Sequence, residues 1–276
     1  MIKEKAYAKL NLSLEVIGKR EDGFHELETI MVPINLYDVL YFEENNSNEM
    51  ILLDNTIEDN SILKAAKLFQ ETYKTKGATI RLKKRIPLEA GLAGGSADSS
   101  ATLRGLNRLF NLNIPLKELE SLAAKLGSDN VFCLYNHAAI CRGRGELLEF
   151  INDDFRFNVT VIKPSFGILT KEAFKNLAFK DKRDCKNILE SLKSQDYKML
   201  NNNIYNDLYD SAIKIKPELL ELVNFIKGYG YKVHMSGSGP TLFVFDFKYK
   251  VKKELKKSFN NLILVKCLIK NRYHNW

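Results

Sequence analysis

Cysteine is scarce and dispersed in this chain. Cys133, Cys141, Cys185 and Cys267 are the four present. They form no C-x-x-C pair and have no histidine at metal-ligand spacing, which argues against both a zinc site and a disulfide framework. Four reduced thiols are therefore expected. No window approaches the roughly 20 apolar residues that a bilayer-spanning helix needs. The opening "MIKEKAYAKLNLSLEV" alternates charged and apolar residues and lacks the uninterrupted apolar core of a signal peptide. A cytoplasmic protein without a membrane partner is the expectation. Two common nucleotide fingerprints, G-x-x-x-x-G-K-[ST] and G-x-G-x-x-G, are also missing. There is no internal repeat, and the only low-complexity stretch is the short polar "EENNSNE".

What remains is an ordinary globular composition, 45% hydrophobic and 28% charged. With 276 residues, and domains of roughly 100–200 residues, one large or two medium domains are expected. A polar break at "INDDF" puts the seam near residue 152, giving an N-terminal domain over 1–152 and a C-terminal one over 153–276. The formal charge of +8 would favour anionic ligands. Its lysines, however, are scattered singly, as in "KEAFKNLAFKDKRDCKN", so the charge reads as compositional and no nucleic-acid partner is expected.

Periodicity sets the coarse elements. "KAYAKLNLSLEVI" alternates with Leu10, Leu12, Leu14 and Val16 on one face, a half-buried strand with Lys9 and Asn11 opposite. Asp-Gly in "REDGFHEL" marks a turn, and "IMVPINLYDVLYFEE" continues as strand. "DNSILKAAKLFQETYKTKG" predicts a helix capped by Asn60 or Ser61 and stopped by Gly77. "ATIRLKKRIPLE" predicts a strand and residues 116–127 a helix. "VFCLYNHAAICRGRGELLEF" predicts a buried strand pair turning near Gly143 and Gly145. The second half predicts a strand in "RFNVTVIKPS" and helices around 170–178, 184–193 and 196–210. Next come a helix, a strand, a glycine loop and a strand within "PELLELVNFIKGYGYKVHMSGSGPTLFVFDF", with a final helix and strand.

The glycines are few, 15 in all, yet Gly91, Gly94 and Gly95 fall within five positions. Ser96 follows as a candidate cap, and then a helical pattern through Leu103, Leu106, Leu109 and Phe110. A glycine turn at a helix start exposes backbone N–H groups to the positive end of the helix dipole, which makes an anion site. A turn that merely needs positive φ is the plainer alternative.

"PLEAGLAGGSADSSATLRGLN" resembles the phosphate-binding motif of the GHMP small-molecule kinases. "YAKLNLSLEVIGKREDGFHEL" and "MSGSGPTLFVF" are similar to that family's other two motifs, in the family's order. The resemblance implies an α+β, two-domain GHMP kinase fold: an N-terminal domain like ribosomal protein S5 and a C-terminal ferredoxin-like domain, with the site in the cleft between. It implies ATP and Mg²⁺ as cofactors and a monomer or homodimer. "GKREDGFHELETI" and "LGSDNVFCLYNHAAICRGRGE" further resemble members that phosphorylate the 2-hydroxyl of a cytidine diphosphate-linked methylerythritol. That small molecule is the expected partner.

By the same resemblance Asp129 is the catalytic base and Lys9 its supporting cation. Pro87, Leu88, Glu89, Ala90, Gly91, Leu92, Ala93, Gly94, Gly95, Ser96 and Ala97 form the loop for ATP, with Ser96 also a metal ligand. Asn60 and Lys84 lie near adenine. Phe24, His25 and Phe174 hold the cytosine with Thr170 nearby, Asn11 touches the acceptor end, and Gly237, Ser238 and Gly239 flank the phosphate path. Three departures stand out. Ala97 replaces a second serine, Phe24 a tyrosine, and Asn130-Val131 leave out a proline. Ser99 and Ser100 stand where the family pattern has alanines. Two other readings remain open at this stage. One is a GHMP kinase for homoserine, mevalonate or a sugar; the other is a non-catalytic ligand- or RNA-binding module on the same fold.

Overall fold

The computed structural model describes residues 1–53, 60–177, 179 and 183–273. These form two compact units. The first comprises Met1–Ala8, Leu36–Ile86 and Ala93–Asn136; the second comprises Lys9–Asn35, Pro87–Leu92 and the described part of His137–Trp276. Two long strands, β1 (Ile2–Lys19) and β2 (His25–Glu44), contribute to both.

In the first unit the end of β2 pairs antiparallel with β4 (Ala78–Lys83), with Tyr41 opposite Arg81. β4 in turn pairs parallel with β3 (Met50–Leu52). Among the described residues this unit also holds the helices α1 (Ser61–Tyr73), α2 (Gly94–Leu109), α3 (Leu116–Leu126) and α4 (Ser128–Tyr135). Phe42, Phe69, Ile80, Leu103, Leu106 and Phe132 are buried here without solvent contact. Gly105 is where α2 meets the sheet, since any Cβ there would collide with the Phe42 ring. Arg104, also on α2, is buried to 2% exposure. Its guanidinium donates to Cys133 O (2.8 Å) and Leu134 O (3.0 Å) at the end of α4 and to Lys5 O (2.9 Å) on β1. Burial pulls its pKa down, yet the Glu4 carboxylate and these carbonyls satisfy its donors, as a buried charge requires.

The second unit joins the start of β2 to β5 (Ala139–Gly143), and β5 to β6 (Leu147–Phe150). A further strand order runs β2, β11 (Ile263–Lys270), β7 (Arg156–Lys163), β10 (Leu242–Phe245), β9 (His234–Met235), all antiparallel. Helices α5 (Thr170–Lys175), α6 (Lys186–Ser194), α7 (Tyr197–Asn203), α8 (Tyr209–Ile215), α9 (Glu218–Gly228) and α10 (Tyr249–Ser258) belong to it. Leu219, Leu222, Val223 and Ile226 of α9 recur at helical spacing and are buried with Leu242 and Val244.

Several elements differ from the periodicity reading. β1 is buried on both faces from Ala6 to Val16, so its alternation marks two interior surfaces of different polarity. Helix α1 ends one residue past Tyr73, at Lys74 in the left-handed region (φ 54), and not at Gly77. Gly77 is needed instead because a Cβ would strike the backbone of Ser47 and Glu49. Residues 131–135, expected as strand, form the body of α4. A short apolar run does not separate a buried strand from a buried helix by period alone. The expected helix over 196–210 is two helices broken by β8 (Tyr205–Asn206), which pairs parallel with β1. The helix expected around 170–178 is confined to α5 among the described residues; residue 178 lies outside them. Cys133, Cys141, Cys185 and Cys267 are all buried and in no disulfide.

Candidate active site

The glycine loop is shaped by positive φ at Glu89 (47°), Gly91 (68°) and Ala93 (57°). Glycine is required at 91 because a Cβ would collide with the carbonyl of Ser236. Within the second unit the loop is fastened by Ser236 Oγ, which donates to Gly91 O (3.1 Å), and by Lys9 N, which donates to Leu92 O (3.2 Å). Pro87, Leu88 and Ala90 lead into it, with Leu88 and Glu89 exposed and Ala90 buried.

In the first unit the loop continues into α2, and here the expected serine cap is absent. The N-cap is Ala93, with no side-chain hydrogen bond, and Ser96 sits in the first turn after Gly94 and Gly95. Helix α1 makes the contrast: Asn60 Oδ1 accepts from Ile62 N at 2.9 Å. An uncapped start presents its first N–H groups outward. Beside Gly95 there is room: outside its own helix, Ser61 Oγ, 3.6 Å from where a Cβ would stand, is the nearest atom among the described residues. Ala97 is buried.

Beneath this start lies a buried ion cluster that the sequence reading did not assemble. Lys84 Nζ donates to Asp38 Oδ2 (2.7 Å) and to Asp98 Oδ2 (2.6 Å). Asp38 Oδ1 accepts from Ile86 N (2.8 Å) and from Arg85 N. Burial and the Asp38 charge push the Asp98 carboxyl up to about 7 against the pull of Lys84. For Lys84, burial works against the charge, but the two carboxylates outweigh it and hold its pKa above the ordinary value. Asp98 Oδ1 is buried without a hydrogen-bond partner among the described residues.

Asp129 stands in the first turn of α4, where its carboxylate suits the helix dipole. The residue after it explains two of the departures noted above. Asn130 Nδ2 donates to Ser99 Oγ (2.5 Å), and Ser100 Oγ donates to Asn130 O (2.7 Å). Ser99 and Ser100 thus tie α2 to the start of α4 at the segment that lacks the proline.

In the second unit Lys9 is only 4% exposed, and its ammonium donates to Asn11 Oδ1 at 2.6 Å. Gly237 is held in the left-handed region (φ 56), with Gly91 O 2.8 Å and Lys9 Nζ 3.3 Å from where a Cβ would stand. Asn206, which the sequence reading missed, fixes this turn by donating to Met235 O (3.0 Å) and Gly237 O (2.9 Å). Gly239 has φ 79. Thr170 Oγ1 and Ser238 Oγ are 3.1 Å apart and hydrogen-bonded. His25 stacks on Phe174 with ring centroids 4.8 Å apart and planes 22° from parallel. Burial, with the Lys19 charge, lowers the His25 pKa and favours the neutral ring. Phe24 is half exposed, and the Arg144 guanidinium lies 4.7 Å from its centroid.

Comparison with known proteins bears on this arrangement. The family pattern of the GHMP kinases N terminal domain matches residues 60–137, and that of the GHMP kinases C terminal matches 188–261. A Clostridium tetani protein named 4-diphosphocytidyl-2-C-methyl-D-erythritol kinase is 39% identical over 97% of this chain and 100% of its own length. The chain belongs to the GHMP kinase family. A solved structure of a 4-(cytidine 5'-diphospho)-2C-methyl-D-erythritol kinase superposes with a TM-score of 0.81 at 29% identity, covering 97% of this chain and 99% of the other. A homoserine kinase from Cytophaga hutchinsonii, 16% identical with a TM-score of 0.74 over 99% of this chain and 96% of its own, shares the fold. The fold is thus the two-domain GHMP kinase fold, with mixed strands and helices.

Membership in a kinase family implies use of ATP. The residues present fit a nucleotide phosphate: an uncapped helix start, two glycines in its first turn and a hydroxyl at Ser96. Among the described residues no group of three or more His, Cys, Asp or Glu side chains is placed to hold a metal. Among the described residues no helix is long and apolar enough to cross a membrane.

Proposed function

We propose that this chain is an ATP-dependent kinase that phosphorylates the 2-hydroxyl of 4-diphosphocytidyl-2-C-methyl-D-erythritol, giving ADP and the 2-phosphate, in the non-mevalonate route to isoprenoid precursors. Full-length similarity at 39% identity to a protein named for this activity carries the reading. The aromatic pair His25 and Phe174 agrees with it, because a base stacks favourably on such rings.

Phosphoryl transfer to an alcohol needs the hydroxyl oriented and relieved of its proton, and negative charge stabilised as it develops. In this reading Asp129 accepts the hydroxyl proton, and the Lys9 ammonium supplies positive potential at the reacting oxygens. Asn11 contacts the acceptor end. The backbone from Pro87 to Ala97 cradles the triphosphate, with Ser96 offering its hydroxyl to Mg²⁺, and Asn60 and Lys84 lie toward the adenine. Bound ATP supplies the transferred phosphoryl group. Phe24, His25 and Phe174 hold the cytosine, Thr170 and Ser238 lie beside them, and Gly237 and Gly239 border the phosphate path.

The test is ADP release with Mg-ATP and a panel of the cytidyl substrate, homoserine, mevalonate and galactose, run beside Asp129→Asn. Turnover of the cytidyl substrate alone is expected, with kcat reduced by about 10²–10⁴ in the variant. Turnover of another alcohol in its place would overturn the substrate reading, and an active Asp129→Asn would overturn the assignment of the base.

A further inference from the structure

Lys9 and Asn11 on β1 and Thr29 on β2 are 4%, 1% and 0% exposed. Their hydrogen bonds form a chain whose direction is settled by donor count. An ammonium can only donate, and Lys9 Nζ meets Asn11 Oδ1 at 2.6 Å. The other end of that amide, Nδ2, donates to Thr29 Oγ1 at 2.8 Å. Thr29 has one hydroxyl hydrogen, and it goes to the backbone carbonyl of Ser13 at 2.5 Å. Its oxygen therefore has only lone pairs left to offer Asn11. Turning the amide over would set Nδ2 against the ammonium, donor against donor, and leave Oδ1 facing an oxygen with no hydrogen to give. Ser236 lies against the same residue: its Oγ accepts from Asn11 N at 3.3 Å, and its one hydrogen faces Gly91 O at 3.1 Å and Asn11 Oδ1 at 3.5 Å, where again only an oxygen suits it.

We propose that Thr29 is a positioning residue for the phosphoryl transfer: its hydroxyl locks the Asn11 amide in the one orientation that holds the Lys9 ammonium in place. The inference rests on the role given to Lys9 under the proposed function. The hydroxyl of Thr29 bonds to Asn11 and to Ser13 O. It acts through Asn11, and what it controls is which end of a buried amide faces the cation. A valine at 29 keeps nearly the same shape but removes the acceptor, so that Asn11 Nδ2 is left buried without that partner and the amide is held against the ammonium from one end only. A serine keeps the hydroxyl and loses only a methyl group.

The experiment compares Thr29→Val, Thr29→Ser, Thr29→Ala and Lys9→Met by steady-state kinetics with Mg-ATP and the cytidyl substrate, alongside urea unfolding of each. Thr29→Val is expected to lower kcat by about tenfold to a hundredfold, with both KM values within about threefold of the parent. Thr29→Ser is expected to stay within about threefold of the parent in kcat. If Thr29→Val does not fold, Thr29→Ala, which makes no new contact, carries the same expectation. Unchanged kcat in the folded valine or alanine variant, or a serine variant as slow as they are, would overturn the inference. So would a loss confined to KM or to the urea midpoint. Lys9→Met separates the two readings. A large loss of kcat there with an unimpaired Thr29→Val sinks the Thr29 role alone, whereas an unimpaired Lys9→Met sinks the role of Lys9 and the inference resting on it.

Discussion

Replacing Lys84 by methionine would remove the cation that bridges Asp38 and Asp98. Asp38 is fully buried and Asp98 nearly so, and the ammonium lies 2.7 and 2.6 Å from their carboxylates. Removing one partner of a buried ion pair costs about 3–5 kcal/mol because the remaining charge is left uncompensated. Two features reduce that cost here. Asp38 keeps its bonds from the backbone N–H groups of Arg85 and Ile86, and Asp98, already pushed up to about 7, can take up a proton. A loss of about 2–4 kcal/mol near pH 6 is therefore expected.

The pH dependence has a definite sign. Asp98 binds its proton more tightly in the folded protein than in the unfolded chain, so its contribution is present at low pH and is lost as pH rises through about 7. Without Lys84 the one influence lowering that pKa is gone, and the protonated form persists to higher pH. The folded variant then holds a proton across pH 6 to 8 that the unfolded chain has lost. Its stability should fall by about 1 kcal/mol more than the parent's over that interval. Urea unfolding at pH 6 and pH 8 measures both quantities. Adding Asp98→Asn should recover about 1 kcal/mol or more at pH 8 and flatten the pH dependence. A loss below about 1 kcal/mol at both pH values, or equal losses that Asp98→Asn does not alter, would refute the account of the cluster.

The other expectations concern single rings. Phe174→Ala should raise KM for the cytidyl substrate by about tenfold while leaving KM for ATP unchanged, since base stacking on an aromatic side chain is worth about 1–3 kcal/mol; a matching rise for ATP would contradict the assignment. His234 is buried, its Nε2 lies 2.7 Å from Asn201 Oδ1, and burial and the Lys232 charge push its pKa down to about 3. The unfolded chain takes up that proton near pH 6.5, so His234 should cost stability progressively as pH falls from about 6.5 toward 3. His234→Gln should make the urea midpoint less steep in that range, and an unchanged slope would show that other groups govern acid unfolding.

Much of the chemistry is legible in the sequence because it is carried by local backbone requirements. Gly91 and Gly237 need positive φ, the small residues from Gly94 to Ala97 open a helix, and the order of three motifs identifies the kinase family before any contact is known. The apolar period also locates the long strands and α9 directly. Other features depend on partners far apart in the chain. Val131 to Tyr135 form a helix that packs against α2 and α3, which a five-residue apolar run cannot announce. Lys9 reads as a solvent-facing strand lysine, and only the burial of both faces of β1 makes it an interior cation. Asp38 of β2, Lys84 just past β4 and Asp98 of α2 come together from distant parts of the chain, as do Ser99 and Ser100 of α2 and Asn130 of α4. Thr29 is an unremarkable strand residue until its hydroxyl is seen between Ser13 O and the Asn11 amide. The sequence by itself determined the glycine loop, the family and the expected reaction, because glycine conformations and motif spacing are written residue by residue. Tertiary structure alone decided which polar side chains are buried together and which way their hydrogen bonds run, because desolvation and donor–acceptor pairing depend on neighbours brought from distant parts of the chain.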